Sequence, residues 1–186
     1  MKNKFKSPFG TLFLVNDGST DQNSIDGQQE VIEGLEEKKF RISEGFFDPG
    51  YRMVGGVRIK DWKAGGHGNQ TFLEVLQNSC NPGFMEIGFR LGKTKLFDYI
   101  HSYGFGEKTG IDLLGEAKGI VFKEDRVGPV ELATSSFGQG NSATPIQLTN
   151  AMSAAINGGE LLQPYVLKSI KNELGDVVFQ NKKTVK

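Results

Sequence analysis

The sequence predicts an α+β fold, mostly helical, with short antiparallel strands. Two features of the pattern carry that reading. Several apolar stripes of helical period open on capping residues and close on glycine. Between them lie strand-length segments joined by glycine turns rather than by crossover helices, which favours antiparallel pairing. The composition permits a packed core: 37% of the 186 residues are hydrophobic, and the 25 glycines bring the small and apolar share to an ordinary globular balance.

The elements follow in order. Residues 1–34 are polar and irregular apart from the apolar stretch Leu12–Val15. Val31, Ile32 and Leu35 read as the end of a helix. Tyr51–Val54 and Val57–Lys60 flank Gly55-Gly56, a two-residue turn that accepts positive φ, and form a hairpin. Thr71 and Glu74 make a capping box for a helix over Phe72–Asn78 that stops near Ser79. Asn81 as N-cap and Pro82 at the first helical position start the next helix, which ends at Gly92. A third helix covers Lys95–Tyr103, with Gly104 after it. Residues 104–142 read as a long glycine-punctuated loop with short strands. Thr144-Pro145-Ile146-Gln147 then combines cap, proline and capping box, and Leu148, Ala151, Met152, Ala155 and Ile156 form the stripe of a fourth helix. Tyr165–Ile170 and Val177–Phe179, on either side of a turn at Gly175-Asp176, read as strands.

Charge and residue usage narrow the function. The 22 basic and 22 acidic side chains cancel, which excludes a strongly basic nucleic-acid binder and an acidic tail. Cys80 is the one cysteine, so no intrachain disulfide and no cysteine-rich metal site is expected. His67 and His101 are too few for a histidine-built metal centre unless carboxylates complete it, and we expect neither a metal nor a cofactor. His67, set among glycines, reads as a loop residue, Trp62 as a core or hairpin-packing residue, and Cys80 as an unreactive thiol. The run Leu12-Phe13-Leu14-Val15 is far short of a signal core or of the ~20 residues of a membrane span.

Ser79-Cys80-Asn81 lies where two predicted helices meet. That placement would hold a hydroxyl and an amide side by side at the rim of a cleft; equally, Ser79 could end one helix and Asn81 cap the next. Lys108-Thr109-Gly110 resembles the K-T-G of penicillin-recognising serine enzymes, which accompanies S-x-x-K and an S-x-N element. It is bounded by glycines in a loop rather than set on a strand edge, so it reads as a decoy.

The ordered set of motifs is more specific than any one of them. Phe47-Asp48-Pro49-Gly50-Tyr51, Trp62–Gly68, Thr71–Leu76, Ser79–Phe84, Tyr103–Leu113, Ser136–Gly140 and Thr144–Leu148 resemble the transpeptidase domain of class B penicillin-binding proteins, particularly the stage V sporulation protein D type, from about Leu35 onward. The resemblance implies a serine acyl-transfer domain that cross-links peptidoglycan stem peptides and is trapped by β-lactams. It further implies that Ser79 helps relay a proton to the leaving amine and that Asn81 holds the catalytic lysine and the substrate amide. The Gln139-Gly140 stretch takes a supporting role. The family is membrane-anchored with this domain outside the cytoplasmic membrane, whereas no signal or anchor is read here.

The departures from the family pattern matter as much. No serine of the chain is followed three residues later by lysine; where family order would place S-x-x-K the chain reads Ser19-Thr20-Asp21-Gln22 and Ser24-Ile25-Asp26-Gly27. The catalytic K-T-G strand is expected beyond Lys186. Since such groups act as a unit, the chain is expected to be inactive alone. The expected organisation is an unassigned segment, 1–34, and a partial transpeptidase domain, 35–186. A non-catalytic remnant or binding module is the alternative. A lesser one is a glycosyltransferase fragment, because residues 12–21 resemble the nucleotide-binding strand-loop of family 2 glycosyltransferases, with Asp17 or Asp21 facing the nucleoside. Uncovered helix faces predict self-association.

Overall fold

The computed structural model describes residues 39–186, so the helix expected to end near Leu35 and the segment 1–34 lie outside the described residues. The strands are β1 (Gly45–Asp48), β2 (Tyr51–Val54), β3 (Val57–Lys60), β4 (Gly68–Thr71), β5 (Ser169–Lys171) and β6 (Val177–Gln180). The α-helices are α1 (Phe72–Gln77), α2 (Asn81–Leu91), α3 (Lys93–Ser102), α4 (Pro129–Ser135) and α5 (Pro145–Ile156), with a 3-10 turn at Glu124–Arg126. Helices and short antiparallel strands together make the α+β class expected.

The described residues divide into two compact units, 39–99 with 121–142, and 100–120 with 143–186. In the first, β1 pairs with β4 and β2 with β3, both antiparallel, the latter around the Gly55-Gly56 turn. Chain direction turns sharply between β1 and β2 and again before β4. There Gly50 and Gly66 approach so closely that a Cβ on Gly66 would sit 2.2 Å from the Gly50 nitrogen and 2.5 Å from the Asp48 carbonyl. Both have positive φ, so only glycine serves at this crossing.

The capping box at Thr71 forms as read: its hydroxyl accepts from the Glu74 N–H and the Glu74 carboxylate accepts from the Thr71 N–H. Helix α2 is the centre of this unit. Phe84, Met85, Ile87 and Leu91 pack with Phe40, Val54, Phe72, Val75, Ala133 and Phe137 into one core. Two glycines let α2 be approached closely: a Cβ on Gly83 would lie 2.4 Å from Val75 Cγ1, and one on Gly88 1.8 Å from Ser136 Oγ.

Two expectations are corrected. Helix α2 starts one residue earlier than read, with Cys80 as its cap residue and Asn81 inside the first turn, because the Asn81 side chain is engaged elsewhere. Residues 104–142 hold no regular strand; they carry the 3-10 turn and α4, which opens on Pro129 with the Glu131 carboxylate accepting from the Gly128 N–H.

In the second unit the buried Gln147 amide ties loop to helix. Gln147, in the first turn of α5, accepts from the Thr144 N–H through Oε1 at 2.8 Å. Its Nε2 donates to the carbonyls of Glu107 at 2.6 Å and Lys118 at 2.9 Å, pinning the glycine-rich loop to the helix. The Lys108-Thr109-Gly110 stretch lies in that loop, and the Glu116 carboxylate accepts from the Thr109 and Gly110 N–H groups. β5 and β6 form an antiparallel hairpin, the first strand shorter than the segment read for it.

Candidate functional site

The Ser79–Asn81 corner is built by the end of α1 and the start of α2. The Ser79 N–H donates to the Leu76 carbonyl at 3.2 Å and the Cys80 N–H to the Val75 carbonyl at 3.0 Å, the paired bonds of a Schellman helix end. The residue that must turn left-handed in that motif is Ser79, φ +49°, the one described non-glycine residue with positive φ. Ser79 is half-buried, and no hydrogen bond from its hydroxyl is found among the described residues.

Asn81 is held from the segment that follows β3. Its Nδ2 donates to the Lys60 carbonyl at 3.2 Å, and its backbone N–H donates to Asp61 Oδ1 at 3.0 Å. One amide proton and Oδ1 of Asn81 remain for other partners. Trp62 extends the same staple, its Nε1 donating to the Asn78 carbonyl at 2.9 Å. Trp62 is therefore not a core residue. It is 66% exposed and lies edge-on to the His67 ring, with centroids 5.3 Å apart.

Beneath this corner the structure gathers four side chains: Asp48 at the end of β1, Asp61 after β3, His67 before β4, and Cys80. His67 Nδ1 lies 3.1 Å from Asp48 Oδ2 and 2.8 Å from Asp61 Oδ2. Both carboxylate side chains are fully buried and the His67 side chain nearly so. Asp48 is supported by backbone donors, Gly50 N–H at 2.7 Å to Oδ1 and His67 N–H at 2.8 Å to Oδ2. Burial on its own would raise the Asp48 carboxyl, but these donors bring it below its ordinary value. Burial, and then the Asp48 carboxylate facing it, raise Asp61 despite the Asn81 N–H. Burial is also the first cause, ahead of the two carboxylates, that pushes the Cys80 thiol up, in keeping with an unreactive thiol.

From sequence His67 and Cys80 read as bland, and Asp48 and Asp61 were not singled out for chemistry. His67 is a loop residue as expected, yet its side chain is nearly buried against the Asp48 and Asp61 carboxylates. The carboxylates that a two-histidine chain would need to complete a metal centre are supplied by Asp48 and Asp61. The available signal was that each acid or histidine adjoins a hairpin end: Asp48-Pro49-Gly50, Asp61-Trp62 and His67-Gly68.

Comparison with known proteins places this geometry. Residues 31–186 match the family described as penicillin binding protein transpeptidase domain. Stage V sporulation protein D of Bacillus subtilis is 61% identical over 135 residues, covering 72% of this chain and 21% of that protein. Peptidoglycan D,D-transpeptidase MrdA of Escherichia coli is 32% identical over 134 residues, covering 66% of this chain and 21% of that protein. The chain thus spans about a fifth of these relatives' length. Among solved structures, penicillin-binding protein 3 of Mycobacterium tuberculosis in complex with aztreonam aligns with a TM-score of 0.76 at 27% identity, covering 88% of this chain and 36% of that one. A peptidoglycan synthetase from Bifidobacterium adolescentis aligns with a TM-score of 0.75 at 28% identity, covering 85% and 29%. Residues 12–21, the stretch resembling a glycosyltransferase, lie outside the described residues and before the family match, so the comparisons do not favour that alternative. The order of motifs, the fold and the sequence match agree: the chain belongs to the penicillin-binding protein transpeptidase domain family.

Proposed function

We propose that this chain supplies the S-x-N wall of a peptidoglycan D,D-transpeptidase site, in which a serine acyl-enzyme is formed from a stem peptide and a β-lactam acts as the mimic. The single observation that carries the reading is the 61% identity to stage V sporulation protein D over 135 residues, a stretch that includes most of this chain. The corner geometry supports it. The Ser79 hydroxyl is not spent on capping, and Asn81, anchored through one amide proton, keeps Oδ1 for a lysine ammonium and one N–H for a peptide carbonyl. Ser79 passes a proton toward the leaving amine; Asn81 orients lysine and substrate. Neither is a nucleophile, and no S-x-x-K occurs among the 186 residues.

Fluorescent penicillin tests the reading in two arms. The 186-residue chain takes no stable covalent label; labelling would show a nucleophile within it and overturn the assignment. In a longer polypeptide that joins this segment to an S-x-x-K helix and a K-T-G strand, Asn81→Ala and Ser79→Ala each slow acylation by roughly 10²–10⁴-fold. Wild-type acylation rates in both variants would remove the S-x-N assignment.

A further inference from the structure

We infer that the outer face of the β2–β3 hairpin, continued past Lys60 to Trp62, is a binding strip for the stem peptide as an extended acidic chain. Arg58 and Lys60 take its carboxylates, and Met53 and Trp62 its apolar side. The inference deepens the transpeptidase reading and rests on it for the identity of the ligand.

The pleat sorts the side chains of the two strands. Val54 is buried, Ile59 packs against the core, and Arg52 turns inward to Glu86. The opposite set therefore faces outward, with Tyr51 paired to Lys60 and Met53 to Arg58. The alternation continues beyond β3: Asp61 is buried, whereas Trp62 is 66% exposed. Three cations, Arg58, Lys60 and Lys63, are exposed along this strip, and among the described residues no carboxylate pairs with any of them. The nearby acids are spent elsewhere, Asp48 and Asp61 in the interior and Glu86 on Arg52 and Arg90. In a chain whose formal charges cancel, such an unneutralised row is a complement for an anionic ligand.

The strip also carries apolar surface between its charges. The Arg58 guanidinium lies 3.8 Å from the centre of the Tyr51 ring, which fixes its position on the face. Met53 is exposed beside it. Same-face neighbours along a strand stand about 7 Å apart, so Arg58 and Lys60 reach two separate carboxylates. Cations interleaved with apolar and aromatic groups suit a carboxylate-bearing peptide better than a small, wholly polar anion.

Its far end meets the Ser79–Asn81 corner. Asn81 Nδ2 donates to the Lys60 carbonyl at 3.2 Å, and Trp62 Nε1 donates to the Asn78 carbonyl at 2.9 Å. The indole has one N–H and spends it on that bond, so the exposed ring offers apolar contact rather than a donor. Arg58 to Trp62 covers about 13 Å of extended backbone, the length of about four peptide residues. A peptide laid along it arrives with one end beside the serine hydroxyl and the asparagine amide.

Trp62 is the one tryptophan of the 186 residues, so the intrinsic fluorescence of the whole chain reads this strip directly. The probe is the acetylated stem-type pentapeptide Ala-γ-D-Glu-Lys-D-Ala-D-Ala, titrated to about 10 mM. We expect a saturable change in emission, with affinity at least about three-fold weaker for the peptide whose D-Glu carboxylate is amidated. Added salt at about 0.5 M weakens binding similarly. Arg58→Gln with Lys60→Gln weakens it at least about three-fold, whereas Lys171→Gln with Lys182→Gln, the same loss of charge elsewhere, leaves it unchanged. An unchanged emission, or wild-type affinity in the Arg58→Gln, Lys60→Gln variant with native circular dichroism, would overturn the strip. Equal affinity for acetyl-Ala-Glu-Ala amide, a peptide of the same net charge, would remove the stem peptide as its occupant. Acylation plays no part in this readout. If the Ser79→Ala and Asn81→Ala polypeptides acylate at wild-type rates while the pentapeptide still binds, the S-x-N assignment fails and the peptide site stands.

Discussion

Ser79 is held in a backbone conformation that suits glycine. With φ at +49° and both bonds of the helix end formed, it occupies the position where glycine most often terminates a helix. An L side chain there costs about 1 kcal/mol relative to glycine. Ser79→Gly is therefore expected to raise stability by about 1 kcal/mol, read as a higher urea midpoint with an unchanged m-value, while Ser79→Ala, which keeps the strained Cβ, gives no such gain. A Ser79→Gly chain less stable than wild type would remove the strain from the account. The expected pattern is that of a residue kept for its hydroxyl at the expense of the fold. Sequence showed that two helices meet at this corner, because a capping box upstream and proline downstream are local signals. It did not show the left-handed serine, since nothing in Asn78-Ser79-Cys80 marks which residue turns. Nor did it reveal the company of Cys80. Asp48, Asp61 and His67 converge on the thiol through two hairpin ends brought together by the Gly50–Gly66 crossing, a tertiary event with no fixed spacing in sequence.

At the scale of elements, α2 is tied to both hairpins by one ionic chain. Arg90 donates to Glu86 at 2.8 Å, one turn earlier on the helix, and to Glu44, just before β1, at 2.6 Å. The other oxygen of Glu86 accepts from Arg52 of β2 at 2.7 Å. The Arg90 guanidinium also lies 5.1 Å from the centre of the Phe72 ring at the start of α1. Glu44 is held below its ordinary pKa first by the Arg90 hydrogen bond. Burial would raise Glu86, but the bonds from Arg90 and then Arg52 outweigh it and lower it too. Because both folded values are depressed, their contribution is fully present above the ordinary glutamate pKa of about 4.3 and is lost as pH falls through the lower folded values. Arg90→Met should cost about 1–2 kcal/mol at pH 7, discounted because these side chains are roughly one-third exposed. The same variant should flatten the acid limb of the stability curve; denaturant melts from pH 7 to pH 3 check both, and an acid limb as steep as wild type would refute the assignment. Helices with a local cap were legible in sequence, and α1 and α5 stand where the capping boxes placed them. α4 was hidden because glycines crowd its neighbourhood, although Pro129 followed by Glu131 was a start signal available to be read. Glu86 and Arg90, at i and i+4, stood at a readable helical spacing, but Glu44 and Arg52 join them only through the packing of α2 and not by any fixed spacing.

For the molecule as a whole, the β5–β6 hairpin leaves an apolar cross-strand pair exposed. Ile170 and Phe179 are directly paired across it and are 45% and 43% exposed; beyond a register shift Val177 pairs with Lys171. Two strands alone make a marginal sheet, and both edges of this one offer backbone groups with no further strand among the described residues to take them. An isolated two-stranded sheet with an apolar face gains from covering that face, and in a solution of this chain the available cover is another copy. The chain should therefore self-associate through this hairpin, its weight-average sedimentation coefficient rising with concentration. Replacing the apolar cross-strand pair by an opposite-charge pair, Ile170→Glu with Phe179→Lys, keeps a favourable contact at the same register of about 0.2–1 kcal/mol while removing the sticky face. That double variant should sediment as a monomer across the range in which the wild type does not. A wild-type chain that stays monomeric and melts cooperatively and reversibly at high concentration would mean that the hairpin's apolar face is tolerated in water, and would remove the physical ground for expecting association.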